Sequence, residues 1–71
     1  MAHFDVVIET RSEGGDNGPY VAEVVQGGPK WVRDWAARSP SAHGAFTELA
    51  NRIRCERVRS SFEFIHAMRE D

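Results

Sequence analysis

Residues 4–11, FDVVIETR, alternate along the chain: Phe4, Val6 and Ile8 fall on one side, Asp5, Val7, Glu9 and Arg11 on the other. A period of two with one apolar side predicts a half-buried β-strand. The next stretch, SEGGDNGP at 12–19, supplies glycines for positive φ and Asp, Asn and Pro for turn formation, which predicts a hairpin loop. A second strand at 20–26 puts Tyr20, Ala22 and Val24 on one face and Val21, Glu23 and Val25 on the other. These two strands are expected to pair as an antiparallel hairpin.

Gly27-Gly28-Pro29 ends the second strand. In KWVRDWAAR, Trp31, Arg33, Trp35 and Ala37 then alternate against Lys30, Val32, Asp34, Ala36 and Arg38, so a third strand is expected at about 30–37. A helical turn is the alternative, because Trp31 and Trp35 are also four residues apart. As a strand, the segment would carry Trp31, Arg33 and Trp35 as an aromatic, cationic ridge. Such a ridge is either a platform for a partner, since Trp and Arg are enriched in binding hot spots, or one core Trp and one covering the sheet edge.

The run SPS at 39–41 stops this strand, and Ser41 is a good helix N-cap. From there Ala42, Ala45, Phe46, Leu49, Ala50 and Ile53 recur at three- and four-residue spacing, with Thr47, Glu48, Asn51, Arg52 and Arg54 opposite. That spacing predicts an amphipathic helix whose small residues let it lie close to a sheet. The tail, ERVRSSFEFIHAMRED, fits either a strand over 57–64 with Phe62 and Phe64 on one side, or a helix capped by Ser60 with Glu63 three residues on. The alternation and the two Phe favour the strand.

The order β-β-β-α-β defines an α+β fold: an antiparallel sheet of three to four strands with one helix packed on one face. Seventy-one residues make at most one small domain, 1–71, and its core supplies only a few kcal/mol of net stability. The sheet face without a helix is a natural place for a twin or a partner. Reinforcement by an internal disulfide is ruled out by a lone Cys55, which reads as a small buried or half-buried thiol in a reducing compartment. His3, His43, His66 and Cys55 have no metal-ligand spacing, so no metal or other cofactor is expected. Self-association is the support left, and a homodimer is expected.

Hydrophobic residues make up 41% of the chain, which places it among globular proteins. No apolar run approaches a membrane span and no leader pattern opens the chain, so a cytoplasmic protein is expected. The net charge of −2 argues against a non-specific nucleic-acid binder. Charge is nonetheless uneven: Arg52, Arg54, Arg57 and Arg59 cluster around Glu56, either as a solvated helix end or as a phosphate-binding patch.

Catalytic groups are not assembled by any motif. Ser41 and His43 are near neighbours, but Ser41 serves as a cap and His43 falls in an exposed first turn. Cys55 and His66 would form a dyad only if the tail folded back onto the helix end. Asp5, Glu9 and Glu23 face the same polar side of the hairpin as ordinary surface carboxylates. The glycines of EGGDNGP lack the following Lys and helix of a phosphate loop. No enzyme activity is expected.

The segment FDVVIETRSEGGDNGPYVAEVVQGG resembles the start of HicB-like antitoxin domains, in which a glycine-containing turn leads into a second strand of the form Gly-Tyr-x-x-x-Val. Tyr20, Val21, Ala22, Glu23 and Val24 occupy that strand here, and Ser41, Ala45, Phe46, Leu49 and Ile53 match the family's helix cap and apolar stripe. The resemblance covers residues 4–54. Gly27-Gly28 replaces the family's Leu-Pro-Gly turn, and the two Trp are unusual for it. The resemblance implies a partial ribonuclease-H-like sheet with one helix and function through binding a protein, in the family a small toxin ribonuclease. On these grounds the chain is expected to inhibit or regulate a partner, as an antitoxin or a phage-type inhibitor of a host factor, through Tyr20, Glu23, Trp31, Arg33 and Trp35. The alternative is a nucleic-acid-binding module that stacks bases on Trp31 and Trp35 and holds phosphates with the Arg52–Arg59 cluster.

Overall fold

A computed structural model of the chain describes residues 3–14, 19–56 and 60–68. Strands β1 (His3–Ser12) and β2 (Tyr20–Gly27) form the expected hairpin. A 3-10 turn at Lys30–Val32 leads to a short strand β3 (Ala36–Ser39), then helix α1 (Ala42–Glu56) and strand β4 (Ser61–Met68). The sheet order is β3-β2-β1-β4, with one helix against it.

The sheet is mixed, not antiparallel throughout: β2 is antiparallel to β1 and to β3, but β4 runs parallel to β1. The cause lies in α1. Fifteen helical residues extend roughly 22 Å at 1.5 Å per residue, enough to carry the chain back past the four residues of β3 to the end of the sheet where β1 begins. The strand that follows must therefore run in the direction of β1 and β3. Alternation within a strand carries no information about its direction, so the tail pattern was silent on this point.

The order β-β-β-α-β holds only loosely, because the expected third strand at 30–37 is in its first part a turn. Val32, Arg33 and Trp35 donate their backbone N–H groups to the carbonyls of Pro29, Lys30 and Val32 at 3.2, 3.3 and 3.1 Å. Strand geometry begins only at Ala36. The turn wins because it buries Val32 completely, whereas a strand would have left Val32 beside Lys30 and Asp34 on the polar side. Entry to the turn needs Gly27 and Gly28, both with positive φ (79° and 77°). A Cβ at Gly27 would collide with the Asp5 carbonyl oxygen.

Val6, Ile8, Ala22, Val32, Ala37, Ala45, Leu49, Ala50 and Ile53 form the core between α1 and the sheet. Alanines on both surfaces, Ala22 and Ala37 below and Ala45 and Ala50 above, allow the close approach. Ser41 caps α1 as its sequence suggests, accepting a 3.0 Å hydrogen bond from the Gly44 N–H. The β1–β2 register slips between Val7 and Ile8, which pair with Gln26 and Val24. Val25 is thereby left without a partner on β1, a bulge at which its side chain is half exposed.

The tail is a strand, described over Ser61–Met68 and so running four residues beyond the expected end at 64. Residues 57–59, and with them Arg57 and Arg59 of the basic cluster, lie outside the described residues. Phe62 and Phe64 do share the helix side of the sheet, opposite Phe4 and Val6. Cys55 is exposed at the end of α1, not buried, because the apolar stripe passes through Ile53 and leaves the next residues in solvent.

Candidate functional site

The turn between β2 and β3 displays its side chains in sharply different directions. Val32 points into the core, and Trp31 and Trp35 pack against the core's margin, half-buried. Their rings meet edge to face, 5.1 Å between centroids and 70° between planes, a favoured geometry for an aromatic pair. Arg33 points outward and is exposed. Among the described residues, no carboxylate lies within ion-pair distance of it.

Arg33 lines two shallow grooves. One, of about 300 Å³, is completed by Glu23, Asp34, Trp35 and Ala36. The other, of about 430 Å³, is completed by Val24, Val25, Gln26 and Gly27. Three of the five residues expected at a contact surface, Glu23, Arg33 and Trp35, therefore come together. Trp31 meets Trp35 ring to ring. Tyr20 stands apart from them at the far end of β2, opposite Ser12 and Ser39, and packs on the core. Val25, which alternation already places on the face of Glu23, lines the second groove with Arg33.

Glu23 is already engaged, 2.8 Å from Arg11 on the neighbouring strand, and sits opposite Glu9. The Arg11 guanidinium offsets the repulsion of that like-charge pair. The described part of the basic cluster is likewise committed. Arg52 lies 3.5 Å from Glu48 and donates to the Ala36 carbonyl at 3.3 Å. Arg54 lies over the Phe64 ring, 5.2 Å from its centroid.

Cys55 and His66 are not neighbours. His66 stacks on Phe46 (centroids 4.4 Å apart, 9° between planes) and shares a 2.8 Å hydrogen bond with the buried Thr10 hydroxyl. Phe46 and Cys55 are nine positions apart on α1, roughly 13 Å at the helical rise. On the open face, His3, Asp5 and Glu63 bring one ligand atom each within 4.8 Å of the others, the one set among the described residues able to offer a metal three ligands. His3 is 3.1 Å from Asp5, an ion pair when protonated, and all three side chains are exposed. Sequence spacing could not reveal this set, because the parallel β1–β4 pairing is what places Asp5 opposite Glu63.

No helix among the described residues is long and apolar enough to cross a membrane. Comparison with family models, with curated proteins and with solved structures finds no match for the chain.

Proposed function

We propose that the chain is a small non-catalytic module that binds a protein and inhibits or regulates it, with the Arg33 groove as its contact surface. One observation carries this reading: an exposed arginine without a carboxylate partner among the described residues, set beside Trp35 and the outward-turned Val25 on a turn anchored by Val32. Arg and Trp are the side chains that most often dominate binding energy, and a turn held by the core loses little freedom on binding. The cation faces outward and calls for an acidic group on the partner. The HicB-like resemblance supports an antitoxin or phage-type inhibitor acting in the cytoplasm, and one helix over one sheet is the arrangement that the resemblance implies. The nucleic-acid alternative is less favoured, since Trp31 and Trp35 pack edge to face with each other and are half-buried against the core.

The test is a pull-down from native-host lysate with the purified chain and its Arg33→Glu variant, with eluates treated with nuclease, followed by titration of the captured protein against both. Because Arg33 is exposed, the variant should unfold within about 0.5 kcal/mol of the wild type. A protein held by the wild type and bound at least about tenfold more weakly by the variant is the expected result. Equal retention by both would remove the groove from the contact surface. Recovery of nuclease-sensitive material alone would hand the function to the nucleic-acid reading.

A further inference from the structure

We infer that the outer edge of β4 pairs with the same edge of a second copy of the chain, in an antiparallel register centred on Ile65. Both ends of the sheet have unpaired backbone donors and acceptors, but they are unlike. β3 is four residues long, carries the exposed Arg38 and is followed by Pro40, features that blunt an edge. β4 is eight residues long with one carboxylate, Glu63, and neither Pro nor Lys. Two of the three large apolar side chains left exposed among the described residues are on it: Ile65 and Met68, 48% and 64% accessible. The helix also leans away, touching β3 and β2 more than β4, so Phe62 and Phe64 stay half-covered.

The side chains choose the register. Phe62, Phe64, His66 and Met68 lie on the helix side, opposite Phe4, Val6, Ile8 and Thr10, and Ser61, Glu63, Ile65 and Ala67 lie on the open side. A two-fold axis perpendicular to a continuous sheet keeps each face with its like, so it must pass through a residue and not between two. Centred on Glu63, it would oppose two carboxylates directly. Centred on Phe64, it would set Glu63 against Ile65 and leave Met68 outside the paired segment. Centred on His66, it would shorten the overlap to residues 64–68. Centred on Ile65, it pairs Ile65 with its own copy, Phe62 with Met68, Phe64 with His66 and Glu63 with Ala67. Only this register covers both exposed apolar side chains over a seven-residue overlap without opposing charges. A closed dimer would leave only the blunted β3 edges outermost, so growth stops at two.

This inference stands apart from the partner-binding reading, because Arg33 is on the β2–β3 connection and not on β4. It is tested by sedimentation of the wild type, Ile65→Glu, Ile65→Lys, an equimolar mixture of the two, and Val25→Glu as an equally exposed control. The wild type and Val25→Glu should be dimers at micromolar concentrations. Each Ile65 variant should dissociate at least about tenfold more readily, since it opposes like charges at the axis in place of two apolar side chains. The mixture should regain the dimer, because residue 65 meets itself and Glu then faces Lys. A monomeric wild type, an open-ended series of larger species, Ile65 variants that dimerise like the wild type, or a mixture no better than its components would each overturn the inference. Arg33→Glu should leave the dimer intact, so loss of self-association and loss of partner capture are read separately.

Discussion

Replacing Val32 with Ala removes two methyl groups from a side chain with no exposed surface. At about 0.8 kcal/mol per buried methyl-sized group, the lost transfer energy is about 1.6 kcal/mol. A residual void of about 40 Å³, at about 24 cal/mol per Å³, adds about 1 kcal/mol if the site does not collapse. The expected cost is therefore about 2–3 kcal/mol, against a total stability of roughly 4–11 kcal/mol for a chain of this length. In a domain this small that is a fall in Tm of about 10–20 °C. Val25→Ala is the same chemical change at a half-exposed bulge position and should stay within about 0.5 kcal/mol.

The comparison isolates burial, because the deleted atoms are identical. Urea unfolding followed by tryptophan fluorescence suits it well, since Trp31 and Trp35 pack on the same core as Val32; circular dichroism gives an independent probe. Equal m-values with a lowered midpoint for Val32→Ala would assign the change to stability alone. If Val32→Ala and Val25→Ala unfold together, the turn reading is refuted. Residues 30–37 would then be the strand their alternation suggests, with Val32 on its solvent side.

Gly27→Ala should destabilise by at least about 2 kcal/mol, because the residue needs positive φ and its new Cβ would strike the Asp5 carbonyl oxygen; a thermal midpoint equal to wild type would show that β1 and β2 do not close there. Thr10→Val keeps the shape of a buried side chain but deletes the hydroxyl bonded to His66, at an expected cost of about 1–2 kcal/mol. The ring nitrogen shifts of His66 should move in the same variant, and unchanged shifts would mean that the bond is not made.

The strands, the helix and its cap were legible because each leaves a local trace. Phe4, Val6 and Ile8 mark β1, Ser41 marks the start of α1, and Leu49 and Ile53 mark its buried side. What the sequence hid was set by tertiary competition. KWVRDWAAR alternates well enough to read as a strand, yet burying Val32 outweighs that pattern, and a sequence period does not reveal which apolar residue the core has room for. The direction of β4 follows from the length of the helix before it. The bulge at Val25 is a register slip between Val7 and Ile8 that leaves no trace in the alternation. The candidate surface was partly legible: residue type singled out Glu23, Arg33 and Trp35, which line one groove, whereas only the strand register shows that Tyr20 lies at the other end of β2.

The turn changes what a mutation at the Trp pair can mean. In a strand over 30–37, Trp31, Arg33 and Trp35 would share one face with Ala37, and Val32 would lie on the other with Lys30 and Asp34. A 3-10 turn has three residues per turn, so successive side chains point about 120° apart. The segment can then bury Val32, lay Trp31 along the core margin and expose Arg33 within three consecutive residues. Anchoring and display are thus carried by adjacent positions, and Trp31→Ala or Trp35→Ala would loosen the anchor while altering the surface. A binding defect in either Trp variant would say little about the interface, because the turn that presents Arg33 would have shifted too. Of Trp31, Arg33 and Trp35, Arg33 is the one that is exposed and outside the core packing. Its substitution is therefore the change that separates recognition from folding.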